Sequence, residues 1–194
     1  MKPPPEHVHW LFATGFLFLG LCLLAEAVVG REVWRRRRWR PYLFPGLVFA
    51  IGIMLFPLSV FYTTSTLHML AHWSWAQVTF LAGAAQLALV HGRLRNRLWQ
   101  LTIPTALAVG GAAFVVHEQR DLLYSRAAFL HHVTGWTLIV GALFPLAAFV
   151  RPSSRTFAVG YALTVVALAV LLFADRDVAP IFGHLSPLAG EPHR

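Results

Sequence analysis

The sequence predicts an all-α, polytopic membrane bundle of about six transmembrane helices, with both termini on the non-cytoplasmic side. Three observations predict it. Hydrophobic residues make up 57% of the 194 residues and charged residues only 12%, with a mean hydropathy of +0.61. A water-soluble domain is nearer half apolar and a quarter charged, so this chain has too little polar surface to coat a soluble fold. The apolar residues fall in runs of about twenty, the length of helix that crosses a hydrocarbon core. The arginines, finally, fall in alternate connecting segments.

The spans read in order as Val8 to Gly30, Tyr42 to Tyr62, Thr66 to Val90, Leu98 to His117, Ala127 to Val150 and Thr156 to Phe173. The first resembles a secretory leader only superficially. Its apolar stretch is too long, Lys2 is the only basic side chain before it, and an arginine cluster follows, so it is expected to be an anchor. Loops between spans are short, which makes consecutive helices antiparallel neighbours in one bundle. Pro57, Pro104 and Pro145 fall inside spans, where membrane helices tolerate kinks. Residues 1–174 form the transmembrane domain, and 175–194, with Pro180, Pro187 and Pro192, form a short irregular outer tail.

Charge sets the orientation. The segments after the first, third and fifth spans hold Arg31, Arg35 to Arg38 and Arg40, then Arg93, Arg95 and Arg97, then Arg151 and Arg155, against the single acid Glu32, a net of +10. The opposite side carries a net of −1, and with Glu26 inside a span this accounts for the formal +8. Positive loops stay cytoplasmic, so both termini lie outside. Trp10, Trp34, Trp39, Trp73 and Trp99 suit anchoring at the two interfaces. The Arg31–Arg40 loop meets anionic headgroups, and a nucleic-acid partner is not expected from charge placed this way. The lone Cys22 permits neither an internal disulfide nor a thiolate metal site. No internal repeat, Gly-rich phosphate loop, nucleophile elbow or paired-cysteine zinc signature is present.

Histidines carry the functional expectation. His68 and His72 open the third span, His117 and Glu118 close the fourth, and His131 and His132 open the fifth, all toward the outer side. Ionisable groups at membrane depth are costly and mark function. His68 and His72 stack on one helix face about 6 Å apart, and that face continues through Trp75, Thr79, Gly83 and Gln86. His131 shares its face with Thr134, Gly135 and Ala142, which favours the bundle interior; His132 shares its own with Trp136, Ile139 and Leu143, a bulky face for the periphery. Imidazole suits copper, zinc, iron and nickel, and a carboxylate can complete the shell. His68, His72, His117, Glu118 and His131 are thus the expected metal ligands. His7, His9, His184 and His193, in the terminal segments, are expected to be solvated, and Glu26 to pair with Arg31 or a neighbour.

The run Leu67-His68-Met69-Leu70-Ala71-His72 resembles a segment of bacterial membrane proteins that assemble copper into cytochrome oxidase. His117-Glu118-Gln119 with His131-His132-Val133-Thr134-Gly135 is similar to small copper-resistance D-like membrane proteins. The resemblance covers spans three to five and implies copper handling on the periplasmic side of a bacterial cytoplasmic membrane. The leading expectation is a copper-binding protein for metal transfer, uptake or resistance, with an extracytoplasmic metal or electron carrier as partner. Three alternatives stay open. A b-type cytochrome would hold haem b between His72 and His131, which come from different helices at similar depth. A membrane di-iron oxidase is weakened by too few histidines. In an accessory subunit the histidines would be structural.

Overall fold

The computed structural model describes residues 5–61, 66–116 and 126–174, and all regular structure among them is helical. Helix α1 spans Pro5–Val29 and a short helix α2 spans Arg31–Arg35. They are followed by α3 (Leu43–Phe61), α4 (Thr66–Val90), α5 (Thr102–Val116), α6 (Arg126–Gly141), α7 (Leu143–Val150) and α8 (Arg155–Ala174). Single 3-10 turns at Arg40–Tyr42 and Arg97–Leu101 lead into α3 and α5. The tail 175–194 lies outside the described residues.

The long helices form six columns, with α6 and α7 counted as one. Among the described residues, five stretches are long and apolar enough to cross a membrane: His7–Val29, Arg40–Pro57, Arg97–Val116, Phe129–Val150 and Arg155–Ala174. The column left out is α4, which is 25 residues long but diluted by His72, Ser74, Gln77, Thr79 and Gln86. Length is not what it lacks.

Prolines explain the breaks. Pro104 sits in the first turn of α5, just after a 3-10 turn, where a missing N–H costs no helical bond. It was expected within a span as a kink and instead begins a helix. Pro145 cannot donate to the carbonyl of Gly141, and the column interrupts there: α6 stops at Gly141 and α7 restarts at Leu143. Ala142 bridges the gap, donating to Leu138 at 2.9 Å and accepting from Leu146 at 3.3 Å.

The columns close into a ring. In it α1 packs on α3 and α8, α4 on α3 and α5, and α6 on α5 and α8. The α3–α4 pair is antiparallel, because Gly52 lies against the backbone of Phe80 while Gly83 lies against that of Phe49. A side chain at either glycine would collide with the opposite backbone, so these positions set how closely the two helices approach. The ring interior is filled by Phe12, Phe16, Ile51, Leu55, Trp75, Phe114, Leu138 and Leu168, all buried.

One end of the ring gathers the arginines. Arg31, Arg35 to Arg38, Arg93, Arg95, Arg97, Arg151 and Arg155 are exposed there, and Arg40 is half-buried. Arg40 lies 5.0 Å from the ring centre of Trp34 and 5.8 Å from that of Trp39. Arg97 donates to the carbonyl of Phe149 and lies 4.3 Å from its ring, tying the end of α7 to the turn before α5. Gln86 donates to the carbonyl of Trp99 at 3.0 Å and to Thr102 at 3.2 Å, fixing the same turn to α4. Glu26 pairs with Arg31 at 3.4 Å, as expected.

Candidate functional site

The opposite end is organised by aromatic rings. Phe16 of α1 stacks on Trp75 of α4, with centroids 6.4 Å apart and planes within 6°. Trp75 meets Phe114 of α5 edge-on at 5.0 Å, and Phe114 meets His131 of α6 at 5.4 Å. His131 then meets His9 of α1 edge-on at 6.4 Å. The contacts therefore return to α1, two helical turns from Phe16, after joining four helices. Aromatic pairs at these separations contribute about 0.5–1.5 kcal/mol each beyond the area they bury.

Sequence dictates this arrangement locally. Trp75 and Phe114 are buried because each lies on the inward face of its helix, one turn from another small or apolar position. Gly110 gives the indole its berth, since a Cβ there would collide with Nε1 of Trp75. His72, three residues before Trp75, borders the same rings: His72, Trp75, Ala113 and Phe114 line a gap too narrow to admit a water molecule. One more turn along this face, the hydroxyl of Thr79 is buried and makes no hydrogen bond.

The structure brings His9 and His131 together, and His72 borders the same Phe114 ring. His131 turns inward against Phe114 and His9. His132 turns the other way, lining an outward furrow with Phe129 and Trp136. The backbone of His68 lies in the first turn of α4, but its side chain lies outside what is described, as do His117 and Glu118 entirely. His9 was expected to be solvated in a terminal segment and is instead partly buried in the cluster. The overlooked signal is Pro5. Proline favours the first helical position, which places His9 a full turn inside α1. His7, by contrast, is exposed and packs on Trp10 at 5.3 Å.

Two groups were expected to fit here. Imidazole nitrogens bind transition metals at about 2 Å, which puts the centres of two rings sharing an ion roughly 5–6 Å apart. The 6.4 Å between His9 and His131 is within a small side-chain adjustment of that geometry. Among the described residues, no three His, Cys, Asp or Glu side chains come together in a set able to hold an ion. The described cluster contributes a pair, with His72 across Phe114. A porphyrin between His72 and His131 faces a different constraint. Phe114 adjoins both histidines, and the gap that His72 shares with it is too narrow even for water.

No protein-family model, curated protein or solved structure matches this chain. Its function is read from its own residues.

Proposed function

We propose that this is a six-span protein of a bacterial cytoplasmic membrane, with both termini outside, that binds a transition metal through imidazoles at the outer end of its bundle. Copper is the first choice of metal, and the role is transfer, uptake or resistance and not catalysis. The approach of His9 and His131 to 6.4 Å carries this reading. Two imidazoles from helices distant in sequence meet at a helix end, with a third, His72, beyond a shared aromatic ring. Cuprous ion accepts low coordination numbers and nitrogen donors, which a pair completed by His68, His117 or Glu118 would satisfy.

The arginine end then faces the cytoplasm. Its exposed guanidiniums meet anionic headgroups, while the outer end receives the ion from, or passes it to, an extracytoplasmic carrier. Cysteine labelling at Arg35 and Arg95, in a chain lacking Cys22, tests the orientation; modification of either position from outside overturns it.

The function is tested by metal analysis and a visible absorption spectrum on detergent-purified protein. Stoichiometric copper without a Soret band is the expected result. A strong Soret band would select haem b instead. Neither metal nor haem after copper loading would leave the histidines a structural role.

A further inference from the structure

A furrow of about 690 Å³ runs between the α6–α7 column and α8 on the outward surface, lined by His132 and not by His131. We propose that it holds one acyl chain of a phospholipid, with the headgroup at His132.

Its position sets the medium. The walls are Phe129, Trp136 and Val140 on one side and Leu163 on the other, all more than half exposed. They stand on stretches long and apolar enough to cross a membrane, so they face hydrocarbon. The lining repeats along α6 and α7 at intervals of three and four residues, giving a continuous channel parallel to the helix axis. Its volume falls within the roughly 300–1,000 Å³ of small-ligand sites.

Length and polarity select the occupant. At the base, Gly141 lies so close to Thr164 that a Cβ would collide with its methyl group. The two helices thus close the floor, and Thr164 keeps its hydroxyl on the Gly160 carbonyl at 3.0 Å. From His132 to Phe144 is about 18 Å at 1.5 Å per residue, comparable with the roughly 15 Å of one leaflet's hydrocarbon. Among the described lining residues His132 is the one ionisable group, three residues inside the apolar stretch that begins at Phe129 and so within reach of the headgroup region. A molecule with one polar end and a leaflet-length apolar chain matches this distribution.

Native mass spectrometry of purified, delipidated protein titrated with palmitoyl-oleoyl phosphatidylglycerol tests the proposal. One tightly retained phospholipid is expected. Ala167→Phe, which fills the furrow, should weaken retention about tenfold, equivalent to about 1.4 kcal/mol. Val140→Trp narrows it from an exposed wall and should act in the same direction without disturbing the core. His132→Gln should weaken retention and leave copper content unchanged, separating this site from the imidazole cluster. Leu146→Phe, exposed and outside the furrow, should retain lipid like the parent protein. No retained phospholipid, equal retention in Val140→Trp, or a dimer that forms in place of lipid binding would overturn it.

Discussion

The two ends of the bundle are held by opposite means. At the arginine end, charged and amide side chains reach backbone carbonyls or lie over aromatic faces: Arg97 on Phe149, Gln86 on Trp99, Arg40 over Trp34. These contacts are exposed or nearly so, and each joins a turn to the helix beside it. At the histidine end, rings touch rings across the interior, from Phe16 through Trp75, Phe114 and His131 to His9. Within hydrocarbon, helices gain little from burying apolar surface as such and associate by close packing. An interior of interlocked rings is therefore sensitive to shape, and an exposed polar edge is not. The difference suits an imidazole site, whose donors need fixed positions, and an arginine end whose side chains need only their charge.

The sharpest way to break this contrast is Phe114→Ala. Removing a buried ring costs about 3–5 kcal/mol in a soluble core. Here roughly 2–3 kcal/mol is expected, because the unfolded helix would hand the ring to lipid and not to water, leaving chiefly the cavity cost. Thermal unfolding in detergent should show a large fall in midpoint, accompanied by loss of any metal held at His131. An unchanged midpoint would mean that the ring series does not organise this end.

Glycines sharpen the same comparison. Gly110→Ala places a methyl against the Trp75 indole and should destabilise by about 1–3 kcal/mol through overpacking. Gly46, near the arginine end, has open space around its missing side chain. Gly46→Ala should accordingly be neutral or stabilise by about 0.5 kcal/mol through helix propensity. Parallel thermal scans would show opposite signs.

Thr79→Val should stabilise by about 1 kcal/mol. It removes a buried hydroxyl that makes no hydrogen bond and keeps the branched shape. A loss of stability on denaturant titration would mean that the hydroxyl has a use in the folded protein. The smallest effect is expected at the exposed end. Arg97→Gln gives up a backbone hydrogen bond and a cation–π contact at an accessible position, for about 0.5–1 kcal/mol in the same titration.

Much of this fold was legible in residue order. Among the described residues, largely apolar runs located the long helices, the polar-diluted α4 included, with ends a few residues from those observed; the first starts at Pro5 and not at Val8. The Glu26–Arg31 pair was legible because the two residues lie five apart at a helix end, on either side of Gly30. The inward turn of His131 and outward turn of His132 followed from the small residues beside one and the bulky residues beside the other. The closure of the ring was not legible. That α8 packs on α1 depends on tertiary fit between the two ends of the chain, which no local pattern encodes. For His9, Pro5 marked the start of its helix, but its partner, His131, lies more than a hundred residues away and no local pattern names it. His68, His117 and Glu118 were singled out by type and spacing alone, and spacing does not determine whether side chains from three helices meet at one point.

The most direct test of the imidazole site is a cuprous titration of the purified protein beside three single variants, read as copper retained per chain after desalting. One ion is predicted for the parent protein and for His132→Ala, with retention reduced at least tenfold in both His9→Ala and His131→Ala, a change of about 1.4 kcal/mol or more. Full retention in His9→Ala and His131→Ala, or a greater loss in His132→Ala, would contradict the account.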